Sequence, residues 1–411
     1  MKLFLPTFLF IFLVVACAPK NESNDGLSGI WRAELALDDD SLVLPFFIEF
    51  VDSANGLKAA IWNGKEMILQ PDVMAMGDSL IIPSPYFNTT IVVKHNTNEL
   101  NGYWIDSSRA GVYKLPFKAK YNLPHRFSFS EMTNSDIDGK WDVRFSPNTE
   151  NEYPAIGLFT TDENSTQGTF ITETGDYRFL EGGFGGGKLK LSTFDGSHAF
   201  LFLADLVNDT LKGIFYSGKH HQEPFVAWRN DSAQLHDPYT LTQLTSPNAR
   251  LSFTAKDLEE NQVVYPSARF ENKALLVQIM GSWCPNCMDE SAFLAPLKDD
   301  LEMRGVEIVA LAFERQEFAD VLPTLRRMKK NLGIKYPVLY AGKSSKKGAA
   351  EALPFLNEII SYPTLLFVKP NGEIFRIHTG FYGPGTGTYF DKQSNEMLDD
   401  IEKLIKLSFV D

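Results

Sequence analysis

The sequence predicts a multidomain protein in which two antiparallel all-β repeats, barrel-like or sandwich-like, precede a C-terminal α/β domain. Three observations lead there. "GIWRAELAL" at 29–37 parallels "GKWDVRFS" at 139–146, and "NELNGYW" at 98–104 parallels "NDTLKGIF" at 208–215, at offsets of 110 and 111 residues. Between those anchors lie short alternating runs such as "TTIVVKH", "GTFITE" and "HAFLFLADL", broken by Gly, Asn and Asp turns, which is the pattern of antiparallel strands. From about Leu251 the pattern changes to long apolar runs alternating with helical periodicity, which points to a partly parallel sheet covered by helices. A chain of 411 residues is also too long for one ordinary core.

The elements follow in chain order. Residues 1–16 have one lysine and then an apolar run shorter than the ~20 residues of a membrane-spanning helix, and they read as a signal peptide. "VVAC" resembles the lipobox of bacterial lipoproteins, which implies cleavage before Cys17 and a lipid on its thiol. Residues 17–26 form a polar tether. The β repeats are expected over 27–122 and 137–231, a polar, turn-rich linker over 232–250, and the α/β domain over 251–411. In each repeat a Gly-x-Trp opening (Gly29 and Trp31, Gly139 and Trp141) faintly resembles the first strand of lipocalin-like barrels, with the tryptophan filling the core. "GGFGGGKL" at 182–189 lacks Ser or Thr after Lys188 and has no following helix, so it reads as a flexible hairpin loop and not as a phosphate loop.

Composition narrows the chemistry. Apolar residues make up 44% and charged residues 22%, enough for each segment to bury a core. The net charge of −13 and the absence of a long basic stripe argue against nucleic acid, since a polyanion requires a basic face. The chain has three cysteines. With Cys17 assigned to lipid, Cys284 and Cys287 remain, in "LLVQIMGSWCPNCMDESAF", after a buried strand and before a helix.

That spacing allows a redox pair, half of a zinc site, or two buried thiols. Zinc needs four ligands; there is no second cysteine pair, and the adjacent His220 and His221 read as strand or loop residues. For disulfide chemistry the spacing is well suited. A turn leading into a helix brings positions i and i+3 onto one face, and the helix amino terminus directs unpaired amides at the first sulfur and stabilises its thiolate. Cys284 is then the attacking thiol and Cys287 the resolving one. Pro285 suits a helix start because it lacks an amide hydrogen and its φ is already helical.

"LLVQIMGSWCPNC", followed by Tyr362-Pro363-Thr364 before "LLFVKPNGEI" and by "IHTGFYGPGTG" at 377–387, resembles the thioredoxin fold, and in detail the TlpA and ResA group of membrane-tethered thiol-disulfide oxidoreductases. The resemblance covers about Leu251 to the C-terminus. It implies a cis proline at Pro363, which would hold the backbone of Tyr362 open for an extended partner segment. It also implies an acidic residue near the pair, at Glu290, placed to take the proton of Cys287. The redox-active Cys284–Cys287 disulfide would serve in place of any cofactor. Trp283, Pro285, Asn286 and Tyr362 are the expected substrate contacts. Three features depart from the pattern. The aspartate of thioredoxin itself is replaced by Gln278, which cannot relay a proton; Ala292 stands where a proline is common, with the helix proline at Pro296; and no histidine separates the cysteines. The last favours a reductase over a disulfide donor.

The expected function is an envelope-tethered disulfide reductase, with the soluble domains in the periplasm, disulfide-bearing envelope proteins as substrates, and a membrane or periplasmic electron donor. The alternative makes the β repeats the working part, as a ligand- or partner-binding module with a regulatory redox domain. A peroxidase of the same fold is disfavoured, because "GSWC" lacks the Thr and Pro that precede a peroxidatic cysteine.

Overall fold

The structure, a computed structural model, describes residues 27–408 apart from 39–40, 55, 71, 110, 112, 130–136 and 163–164. The expected signal peptide, the lipidation site Cys17 and the tether lie outside the described residues. Three sheets account for the strands among the described residues. The first is a nine-stranded antiparallel meander in which the opening strand Gly29–Ala36 pairs with both Val43–Ser53 and the closing strand Tyr113–Tyr121. Alternation sets the faces of that opening strand: Trp31, Ala33 and Leu35 point into the core while Arg32 and Glu34 are partly exposed.

The second sheet repeats the plan. Its opening strand Gly139–Phe145 pairs with Tyr153–Thr161 and with the closing strand His221–Arg229. The two copies match in detail: Gly29 and Gly139 have φ of 123° and 114°, and each tryptophan donates its indole N–H to the carbonyl four residues earlier. Those bonds are Trp31 to Leu27 at 2.8 Å and Trp141 to Ile137 at 2.9 Å. In the second copy the meander closes, because Tyr153–Thr161 also pairs with Thr166–Thr172 and completes a ring of strands. Its interior is filled by rings, with Phe170 and Phe215 each stacked on Phe202 at 4.5 Å. Replacing Trp141 with Ala empties the largest buried side chain of this barrel, and the expected cost is about 3 to 5 kcal/mol. A lowered urea midpoint in the transition of the second repeat checks it; an unchanged midpoint contradicts the assignment of Trp141 to the core.

The first copy stays open at Glu66–Gln70 and Met74–Met76. The second copy packs against it: Phe194, Ala199 and Leu201 complete the first repeat's core, and the Phe46 and Phe194 rings lie 4.6 Å apart. Arg126, fully buried, ties the copies together through Glu181 at 2.7 Å and the Trp62 carbonyl at 2.7 Å. The glycine-rich stretch at 182–189 is a tight hairpin and not a loose loop. Strands Leu180–Gly185 and Lys188–Phe194 meet at Gly186 and Gly187, both at positive φ, as a two-residue turn requires.

The third sheet has seven strands. Ala274–Met280 lies beside Val306–Glu314, itself beside Val338–Lys343, all parallel. The antiparallel hairpin Thr364–Val368 and Ile374–Thr379 extends one side, and Phe253–Lys256 with Gln262–Tyr265 extends the other. All seven residues of Ala274–Met280 are buried, which explains its unbroken apolar run. Helices α1 (Pro285–Leu294), α2 (Lys298–Met303), α3 (Phe318–Asn331), α4 (Lys346–Ala352) and α5 (Thr388–Leu407) accompany this sheet. The helical run after the cysteines is interrupted by a 3₁₀ turn at Ala295–Leu297 carrying Pro296, so α1 and α2 are separate. In α5, Met397, Ile401, Leu404 and Ile405 are buried, while Leu398 is exposed at the margin of the apolar stripe.

Candidate active site around the cysteine pair

The central strand Ala274–Met280 ends at its carboxyl side in Gly281-Ser282-Trp283, and the cysteine pair opens α1. Cys284 is the N-cap of α1, and its sulfur accepts the backbone N–H of Cys287 at 3.1 Å. Pro285 occupies the first helical turn. The two sulfurs are bonded, with Cα atoms 5.3 Å apart. Cys287 is fully buried and Cys284 only 3% exposed.

The turn before Cys284 is held by a residue that the sequence reading did not single out. Glu314, at the end of the neighbouring strand and 1% exposed, accepts the Ser282 backbone N–H at 2.7 Å and its hydroxyl at 2.8 Å. Burial pushes its carboxyl up to about 7 against those bonds. Trp283 donates its indole N–H to the Phe313 carbonyl at 3.0 Å, under the Arg315 guanidinium at 4.5 Å. An acid closing the apolar run "VEIVALAFE" is the signal in the sequence.

Beneath the pair lies a buried polar cluster. Gln278 donates to Glu290 at 2.9 Å and to the Cys287 carbonyl at 3.4 Å, and accepts from the Ser291 hydroxyl at 3.1 Å. Glu290 is fully buried, so it is not a solvated residue of the first helical turn. One of its oxygens has no hydrogen-bond partner, and burial pushes its carboxyl up to about 8, only partly opposed by Gln278.

On the opposite side of the pair the Tyr362-Pro363 peptide is cis, and the Tyr362 carbonyl lies 3.2 Å from the Cys284 sulfur. The Tyr362 ring meets that of Trp283 edge-on at 5.4 Å. Gly380, in the stretch after the last hairpin, donates its N–H to the Pro363 carbonyl at 2.8 Å. His378 is buried and bonded through Nδ1 to the Gly380 carbonyl at 3.0 Å, and burial lowers its pKa to about 4.

The β repeats reach this site, which no local pattern could disclose. Asn286 donates to the Asp176 carboxylate at 3.0 Å, and that carboxylate also accepts the Gly383 N–H at 2.6 Å. Arg178 donates to Asp289 at 3.0 Å and to the Pro285 carbonyl at 3.3 Å, and pairs with Glu66 of the first repeat. Of the expected substrate contacts, Pro285 and Asn286 are therefore engaged by the chain's own second repeat, while Trp283 and Tyr362 pack on each other.

Residues 248–377 match the AhpC/TSA family. A thiol-disulfide oxidoreductase ResA from Halalkalibacterium halodurans is 25% identical over 161 residues, 38% of this chain and 74% of that protein. Its namesake from Bacillus subtilis is 24% identical over 136 residues, 33% of this chain and 63% of that protein. Among solved structures, a secreted thiol-disulfide isomerase from Corynebacterium glutamicum is similar at 18% identity with a TM-score of 0.32, covering 43% of this chain and 98% of that one. The C-terminal region thus carries an enzyme domain of thioredoxin-like fold that matches the AhpC/TSA family over residues 248–377 and is similar to the ResA thiol-disulfide oxidoreductases.

Proposed function

We propose that the chain is an envelope-tethered disulfide reductase working by dithiol–disulfide exchange. The observation that carries this reading is the capping geometry: the Cys284 sulfur accepts the Cys287 N–H at the amino terminus of α1, an arrangement that stabilises a thiolate there. The Cys284 thiolate attacks one sulfur of a partner disulfide, forming a mixed disulfide and releasing the partner's other sulfur as a thiolate. Cys287 gives up its proton to the unpaired oxygen of Glu290 in the fraction of molecules whose Glu290 carboxyl is ionised. Its thiolate then attacks the Cys284 sulfur and frees the second partner thiolate. Two electrons pass to the partner and leave Cys284–Cys287 oxidised, and a membrane or periplasmic thiol donor restores the dithiol. Pro363 and Tyr362 border the attacking sulfur on the side where an extended partner segment would pair. A lipid on Cys17 would keep the soluble domains in the periplasm beside the membrane.

Reduction of partners is favoured over oxidation because Pro285 and Asn286 put no cationic group between the cysteines. Equilibrating the pair with glutathione buffers tests the direction. The expected potential is near thioredoxin's, ~ −270 mV, and a value near ~ −120 mV, that of a strong oxidant, overturns the reductase assignment. The filled barrel of the second repeat gives no support to a ligand-binding reading of that domain.

A further inference from the structure

In the thiol exchange proposed above, a partner polypeptide must reach Cys284 alongside Tyr362-Pro363 and Gly380. That surface is already occupied. The turn that follows Thr166–Thr172 in the second repeat, with Gly175 and Asp176 pairing back onto Thr172 and Ile171, lies across it. The Thr174 carbonyl accepts the Ser361 hydroxyl at 3.0 Å, directly before the cis proline. Gly380 and Thr174 pack backbone to backbone, so closely that a Cβ on Gly380 would come 2.8 Å from the Thr174 carbonyl. Gly175 lies against Asn286, where a Cβ would come 2.6 Å from the side-chain oxygen. Asp176 then holds Asn286 and the Gly383 amide, and Arg178 clamps Asp289 and Glu66. Contacts from one short turn thus fall on all three segments that frame the sulfur: the cysteine turn, the cis-proline loop and the 380–383 loop.

We propose that the Thr174–Arg178 turn is an autoinhibitory plug, seated in the partner-binding groove, that a disulfide-bearing protein must displace to reach Cys284. The inference rests on the exchange reading, but it concerns access and not chemistry. It fits the 3% exposure of Cys284, the residue meant to attack another protein. The two small residues at the contact fit the role, since glycine lets the two backbones approach. Arg178 supplies the hold: its guanidinium is nearly buried and paired with carboxylates from the first repeat and from α1, so lifting the turn separates charges that have little water around them.

The test uses the reduced full-length chain and two variants, Gly175→Leu, which crowds Asn286, and Arg178→Ala, which removes the clamp. Two rates are read: iodoacetamide alkylation of Cys284, located by peptide mapping, and reduction of insulin disulfides. Both rates are expected to rise at least tenfold in each variant. Rates within twofold of the parent, in variants that keep the parent's circular dichroism, overturn the plug. Should both variants misfold, the decision passes to amide exchange in Cys287→Ser carrying glutathione on Cys284. There the adduct must lift the turn, so exchange at 175–178 is expected to accelerate, and unchanged exchange overturns the plug. Cys284 alkylation that rises tenfold in the variants with no insulin reduction in any form refutes the exchange reading and leaves the plug standing.

Discussion

Cys284→Ser is expected to abolish disulfide reduction, with a loss of at least about 10³-fold in turnover, because the thiolate is the nucleophile and a serine hydroxyl at neutral pH is not a substitute. The two cysteines should not fail in the same way. Cys284 is the cap of α1 and receives the Cys287 amide, whereas Cys287 is fully buried on the inner side of the helix. A chain with Cys287→Ser still attacks, forms the mixed disulfide and stops there. Its single-turnover release of the first partner thiolate should be nearly normal while steady-state turnover disappears. Equal loss of the first step in both variants would show that the sulfurs are not divided into attacker and resolver.

Glu290→Gln should flatten the pH response of stability. In the folded chain the Glu290 carboxyl is pushed up to about 8, above its ordinary value of 4.5. The unfolded chain therefore releases this proton first, and between those two values it binds fewer protons than the folded chain. Stability from this group is complete below about pH 4.5 and drains away as pH rises to about 8. At about 1.4 kcal/mol per pH unit the loss is on the order of 4 kcal/mol. Glutamine carries no such proton, so the oxidised variant should match the parent near pH 4 and exceed it by a few kcal/mol at pH 9 in urea titrations. Glu314 and Asp289, both pushed up to about 7 by burial, act in the same direction in both proteins and cancel from the comparison. In the reduced protein the same substitution removes the acceptor for the Cys287 proton and should slow resolution of the mixed disulfide by about 10²-fold, the usual size of general base catalysis. Superimposable stability curves would mean that Glu290 is ionised in the fold at neutral pH.

What the sequence disclosed was what its chemistry keeps local. The cysteine spacing, the proline at 285 and the apolar strand before them lie within fourteen residues, and each constrains the next. The β repeats were legible from their glycine and tryptophan anchors because both copies need the same positive φ and the same core-filling indole. The outer hairpin Phe253–Lys256 and Gln262–Tyr265 was not recognised as part of the third sheet, since strands of four residues carry too little alternation. Gln278 was read only as a group unable to relay a proton; in the fold it orders both Glu290 and the Cys287 carbonyl. Asp176 and Arg178 gave no signal at all. In the sequence they are two charges in a turn between strands, and their meaning comes from Asn286 and Asp289, more than a hundred residues away.

The most direct test of the central claim is trapping. Reduced full-length chains carrying Cys284→Ser or Cys287→Ser are mixed with a disulfide-bearing protein, quenched with acid and examined by non-reducing electrophoresis and mass spectrometry. A mixed disulfide on Cys284 that accumulates only in Cys287→Ser is the predicted result. Equal trapping in both variants, or adducts in neither when the partner is otherwise reducible, would contradict an attacking Cys284 and a resolving Cys287.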